Sequence, residues 1–199
     1  MVAGDVGARS VAETQLRRRV ELAVSPAGAA TARITSFPFL ARLVFSGRVA
    51  HIHVAAAGVT VEGLTFDRVA LDLDGVTFDR DRLLSERKVV LQTVTQGTAT
   101  AEMTQEQLSA RLGVPITLAP GRAQVVVGGT TLTGGVSVSD NNLRVVAAGL
   151  TVPPLRVPTL ALVPCVSDVQ ILAGRVRLTC TVHEIPAELL GRPLDEVRF

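Results

Sequence analysis

His51 and His53 form the first pairing along the chain with the makings of a reactive site. Two residues apart on an alternating stretch, their imidazoles face the same way, at a spacing that lets two ring nitrogens share a metal ion. A zinc site needs three or four ligands, and His183 would have to arrive from a far hairpin to supply a third, so the plain reading is a solvated strand face. Asp72-Leu73-Asp74-Gly75 begins like a calcium loop but lacks the later loop oxygens and the closing Glu. Asp79 and Asp81 have the residue types of a facing carboxylate pair for glycosyl transfer, yet alternation produces such pairs at any exposed strand end. G-x-S-x-G, P-loop and H-E-x-x-H patterns are absent. On these residues we expect no catalytic group, no metal and no cofactor.

Cys165 and Cys180 are the only cysteines, and an even pair suits an oxidising compartment. A two-residue turn at Ala173-Gly174 would set Cys165 opposite Val182 and Cys180 opposite Ser167, so the sulfurs would be diagonal neighbours. Diagonal Cα atoms lie roughly 7 to 8 Å apart, at or past the limit for a bridge. A four-residue turn would bring them directly opposite. A disulfide and two buried thiols both stay open.

The elements that must position these residues are bounded by composition. The 199 residues show no charge run or Ser/Pro linker that cuts them, which favours one domain over 1–199. Hydrophobic residues make up 47% and mean hydropathy is +0.38, yet Arg, Asp or Pro interrupts every apolar run before the roughly 18 residues of a membrane span. The first ten residues carry neither a basic start nor an apolar core, so they do not read as a signal peptide. That leaves a cytoplasmic chain, or one whose export or anchor segment has been left off. Net charge is +2, Lys88 is the sole lysine among 20 basic residues, and aromatics are 3%. Nucleic-acid binding wants clustered cations with stacking aromatics, so that partner class is set aside.

Three of the six phenylalanines, Phe37, Phe39 and Phe45, fall within nine residues together with Leu40, Leu43 and Val44. Pro38 fixes φ and removes a donor, so this apolar knot is a bend or a helix start. From Gly47 strict alternation predicts a strand with Ala50, Ile52, Val54 and Ala56 on one face and Val49, His51, His53 and Ala55 on the other. Upstream, Ala12, Leu16, Val20 and Ala23 recur at helical spacing and predict a surface helix over 9–25, with Glu13/Arg17 and Arg17/Glu21 as ion pairs. Its Arg17-Arg18-Arg19 run has the chemistry to touch lipid headgroups, though a solvated face is the usual reading of such a run.

Downstream the chain reads as strand and turn. Leu64 and Phe66 share one parity while Val69, Leu71 and Leu73 share the other, so a bulge or bend is expected near Asp67 and Arg68. Strands are expected at 88–96, 98–103, 122–127, 130–138, 142–148 and 159–163, with a hairpin of 167–172 and 175–182. Thr104 and Gln107 form a capping box that starts a short helix over 105–112, stopped by Gly113. Pro153, Pro154 and Pro158 impose an extended crossing, and Pro186 to Leu190 has the makings of one helical turn. A sheet this long curls. Wrapped around one helix and the aromatic knot, its Val, Leu, Ile and Ala face forms either a packed core or a groove, with Phe39 at the groove entrance.

This order of elements, with SFPFL before an alternating strand ending AAAGV, then LTFDRVALDLDGVTF, TATAEMTQEQLSARL and VRLTCTVHEIPAELL, resembles the LmeA-like phospholipid-binding family over about residues 10 to 190. Phe37-Pro38-Phe39-Leu40 and Ala57-Gly58-Val59 are its most specific pieces, and no catalytic motif is among them. The resemblance implies an α+β fold of the tubular lipid-binding type, a long curved antiparallel sheet around an N-terminal helix. It implies an apolar groove for a phospholipid or other acyl-chain lipid, with Phe37, Phe39, Leu40, Leu43, Phe45, Ile52 and Val54 as the residues expected to line it. Members belong to the actinobacterial cell envelope, on the periplasmic face of the membrane, and are linked to lipid-linked mannan assembly. A membrane surface is thus an expected partner. The competing expectation is a non-catalytic scaffold with a packed interior that docks an envelope glycosyltransferase through the Phe37 to Phe45 knot.

Overall fold

Ala8, Ala12, Leu16 and Val20 recur every four residues and make a narrow apolar stripe, which seats the first helix against a sheet. The structure is a computed structural model and describes residues 2–24, 27–147, 150–158, 168–183 and 191. The helix, α1 (Val2–Val24), starts seven residues before the sequence pattern does. Asp5 explains part of the extension, because its carboxylate accepts the Leu40 N–H at 2.7 Å. Glu13 pairs with Arg9 at 3.8 Å rather than with Arg17, while Arg17 pairs with Glu21 at 3.9 Å as expected. The Glu13 carboxylate also accepts the Ile34 N–H at 2.8 Å, which occupies a donor on the edge strand β1 (Ala30–Thr35).

The knot becomes a helix, α2 (Phe39–Ser46), closed by Gly47 in the left-handed region. The long strands β2 (Arg48–Val61) and β3 (Leu64–Phe78) follow. Their register is constant from Arg48↔Thr77 to Val61↔Leu64, so the expected irregularity at Asp67 and Arg68 is a bend and not a bulge. Gly58 (φ +64) lies opposite Asp67 and Gly75 (φ +59) opposite Ala50, and each strand changes its buried parity beside these points. Val49 and Val76, then Ile52 and Leu73, then Val59 and Phe66 are thereby brought to the same side. This replaces the simple alternation expected from Val49 to Ala56: Val49 is buried and Ala50 is exposed.

Next come α3 (Arg80–Ser85), capped by Asp79, and β4 (Leu91–Thr93); the strand expected over 88–96 is broken between β4 and the strand that opens at Gln96. β5 (Gln96–Thr104) runs into α4 (Gln105–Leu112), which has the expected span, the expected capping box and Gly113 at its stop. β6 (Ile116–Ala119), β7 (Arg122–Val127), β8 (Thr130–Ser139) and β9 (Asn142–Ala147) form a meander. The short β10 (Leu150–Thr151) and β11 (Leu155–Arg156) return along β9, separated by Val152, Pro153 and Pro154. The hairpin β12 (Asp168–Leu172) and β13 (Arg175–Val182) pairs Leu172 with Arg175 about a two-residue turn. The strand expected over 159–163 and the turn at 186–190 lie outside the described residues.

The fold is α+β and antiparallel, with its strands in two sheets. The larger orders β1-β2-β3-β5-β13-β12 with β4 on β3, and the smaller orders β10-β9-β8-β7-β6 with β11 on β9. The Gly121 N–H donates to the Ile171 carbonyl at 3.1 Å and the Gly174 N–H to the Leu118 carbonyl at 3.0 Å, which fastens the sheets near their edges. Leu64, Phe66, Met103 and Val176 of the large sheet pack with Leu108 of α4 and with Ile116, Val125 and Leu143 of the small sheet. At the other end Ile34, Phe39, Val49, Ile52, Val76 and Leu91 pack against the α1 stripe.

Candidate functional site

Directly opposite residues of antiparallel strands share a face, so register alone assembles the stretch of sheet between the two cores. One row runs Ile52, Leu73, Gly97, Val182; the next runs Ala32, Val54, Leu71, Ala99, Cys180; a third runs Ala30, Ala56, Val69, Ala101, Leu178. Every member is apolar and many are small. Val54, Val69, Leu71, Leu73, Ala101 and Val182 are only partly buried, although the core residues on either side are nearly closed to solvent. The result is a lane of aliphatic surface, flanked by α1 on the β1–β2 side and by the small sheet beyond Val69. Such a surface has no group to act as acid, base or nucleophile. What it can do is take hydrocarbon out of water.

The seven residues singled out in the sequence divide. Ile52 is buried at 8% exposure, and Val54 is on the lane. Phe39 is 3% exposed among Ile34, Val49 and Leu91, so it stands in the interior and not at a mouth, and Leu43 packs partly buried on the same cluster. Phe37, Leu40 and Phe45 face outward, the two aromatics at 70% and 79% exposure. The knot failed to resolve these roles because its helical phase depends on how α2 seats against α1 and the sheet. Leu71, Leu73, Ala99 and Ala101 were missed as site residues; the shared parity of Val69, Leu71 and Leu73 was the signal, and only the pairing of β3 with β5 shows what lies beside it.

The opposite face of the large sheet is polar. His51 Nδ1 and Asp74 Oδ1 lie 2.7 Å apart, as do His53 Nδ1 and Asp72 Oδ1, so the two histidines and two carboxylates considered separately in the sequence are partners across one ladder. Among the described residues no group of three or more His, Cys, Asp or Glu is placed to hold a metal ion. Asp79 accepts the Arg82 N–H at 3.0 Å as a helix cap, and Asp81 pairs with Arg80 at 3.1 Å. Farther along the same face Glu102 is 8% exposed and bridges Arg175 at 3.0 Å and Arg177 at 2.8 Å. Burial raises its pKa, but hydrogen bonds and charge from Arg177 and Arg175 outweigh that and hold the carboxyl below its ordinary value.

A shallow depression of about 410 Å³ lies away from the lane, against α4, between Gln105, Glu106, Ser109 and the segment from Gly113 to Ile116. Its polar groups are already engaged. The Ser109 hydroxyl accepts the Ile116 N–H at 2.9 Å, and the Gln105 side-chain oxygen accepts the Leu118 N–H at 3.2 Å. Cys180, buried on the lane, is disulfide-bonded; Cys165, the other cysteine of the sequence, lies outside the described residues. No described helix is long and apolar enough to cross a membrane.

Comparison with known proteins agrees with the apolar character of the lane. The model of a family described as LmeA-like phospholipid-binding matches residues 3–198, nearly the whole chain. No curated protein and no solved structure matches it.

Proposed function

We propose, from the premise that this chain belongs to the LmeA-like phospholipid-binding family, that it carries the acyl chains of its lipid along the lane between the two cores. The observation that carries this reading is the run of partly buried aliphatics, Val54, Leu71, Leu73, Val69 and Ala101, on a sheet face whose two ends are otherwise closed. Each methylene withdrawn from water contributes about 0.8 kcal/mol, so a few turns of contact along the lane hold an acyl chain without a charged anchor. The lane offers binding surface and no chemistry, which favours a carrier or transfer protein over an enzyme. The disulfide at Cys180 suits an oxidising compartment and supports a place in the cell envelope, where lipid-linked mannan precursors are among the lipids to try.

Organic extraction of the purified protein followed by mass spectrometry tests this. Phospholipid is expected in near-stoichiometric amount, and a delipidated sample should take up a fluorescent fatty acid. Leu71→Asp should lose that uptake while staying folded, because Leu71 is partly solvated. Absence of extracted lipid, together with refusal of the fatty acid by the delipidated protein, would leave a scaffold with a packed interior as the better account.

A further inference from the structure

We propose that the α2–α3 end of the molecule is a membrane-docking tip that seats on an anionic phospholipid surface, with Phe37 and Phe45 entering the boundary between headgroups and acyl chains. It uses none of the lane residues and so goes beyond the carrier reading. The helix α2 is fastened from behind. Phe39 anchors it in the core, Asp5 accepts the Leu40 N–H at 2.7 Å, and the Gly47 carbonyl accepts the Phe78 N–H at 2.8 Å. Beside the exposed Arg42, α2 and the turn before it present apolar surface: Phe37 at 70% exposure, Phe45 at 79%, and Leu40 and Val44 between them. Leu84 of the adjoining α3 is 56% exposed, and Arg80 of α3 donates to the Phe45 carbonyl at 3.5 Å. A chain with six phenylalanines and no Trp or Tyr thus leaves two of its few aromatics in water at one end, the kind of patch that marks an interaction surface.

Charge identifies the occupant. Around the apolar residues stand Arg42, Arg48, Arg80, Arg82, Arg87 and Lys88, all exposed. Among the described residues the carboxylates at this end are Asp5, Asp79, Asp81 and Glu86. Asp5 and Asp79 are engaged by backbone N–H groups, Asp81 by Arg80, and Glu86 lies 4.0 Å from Lys88. Among the described residues at this end cations therefore outnumber carboxylates, six to four, and the exposed guanidinium groups of Arg42, Arg48 and Arg87 are of the kind that binds phosphate bidentately. An aromatic centre inside a cationic rim is the chemistry of a protein lying on an anionic bilayer.

Flotation with protein-free vesicles tests the tip, using phosphatidylcholine alone and phosphatidylcholine with about one third phosphatidylglycerol. Wild type should float with the anionic vesicles, and less so as salt rises. The double variant Phe37→Ser/Phe45→Ser should bind at least about tenfold more weakly, since both rings lose their apolar contact. Arg42→Glu/Arg87→Glu should lose the preference for phosphatidylglycerol. Unchanged urea midpoints in both double variants confirm that they are folded, and Leu71→Asp, which probes the lane, should float as wild type does. Wild type remaining in solution with both vesicle types would overturn the proposal and turn the tip toward a protein partner. Equal flotation of the phenylalanine double variant would overturn it as well.

Discussion

Three phenylalanines within nine residues offer an internally controlled measurement, because the structure gives them opposite environments. Phe39 is 3% exposed against Ile34, Val49, Ile52, Val76 and Leu91, whereas Phe37 and Phe45 are 70% and 79% exposed. A phenylalanine side chain withdraws on the order of 150–200 Å² from water, worth about 4 kcal/mol at about 25 cal/mol per Å². Removing the ring at position 39 leaves a cavity walled by residues of four strands and two helices that cannot all relax into it, so Phe39→Ala should cost about 3–5 kcal/mol. Phe37→Ala and Phe45→Ala, which give up surface already in water, should stay within about 0.5 kcal/mol of wild type. Urea unfolding followed by far-ultraviolet circular dichroism is the assay, since the chain has no Trp or Tyr to report by fluorescence. The reasoning is refuted if Phe39→Ala shifts the midpoint no further than Phe45→Ala. The inward phase assigned to α2 would then be wrong, and the knot would again be a solvated groove entrance.

Glu102→Gln removes the charge shared by Arg175 and Arg177, both of which keep access to water, so the loss near pH 7 should be about 1–2 kcal/mol. Because the folded-state pKa lies below the ordinary 4.5, the stabilisation is full above that value and is lost as pH falls through the depressed one. The gap between wild type and variant in urea should therefore narrow in acid, and a gap that widened below pH 4.5 would contradict the assignment. Ser36, 4% exposed, holds the only buried side-chain polar atom without a hydrogen-bond partner among the described residues. Ser36→Ala should raise stability by about 1 kcal/mol, and a loss of that size would point to a partner for its hydroxyl.

The parts legible in the sequence were those fixed by local chemistry. Thr104 and Gln107 close a capping box within four residues, so α4 could be placed at both ends. Gly128-Gly129 and Asp140-Asn141 supply the positive φ of tight turns, which set the meander strands. What escaped was decided by contacts between distant segments. The strand from Ala30 to Thr35 has mostly small or polar residues and exists because β2 pairs it and Glu13 occupies its outer edge. The α1 start contains Gly4 and Gly7, poor helix formers, and is held by the Asp5 bond to Leu40. His51 and Asp74 are 23 residues apart, and only register makes them neighbours. The lane was half visible for the same reason. The parity of Val69, Leu71 and Leu73 is local, whereas the facing line of Gly97, Ala99 and Ala101 comes from a different strand.

The bends at Gly58 and Gly75 also bear on how the molecule comes apart. β2 and β3 form a ribbon of 14 and 15 residues whose far end, through Leu64 and Phe66, belongs to the core shared with the small sheet. Its near end, through Val49 and Val76, belongs to the core under α1. At about 3.3 Å per residue the ribbon is roughly 50 Å long, and no other hairpin in the described structure reaches both cores. Either core can loosen only by straining the two strands on which the other is built. Cooperativity between the two ends should therefore run through this hairpin. A lipid settling between them would brace the ribbon at mid-span, so loading should register as slower amide hydrogen exchange in β2 and β3 at both extremities.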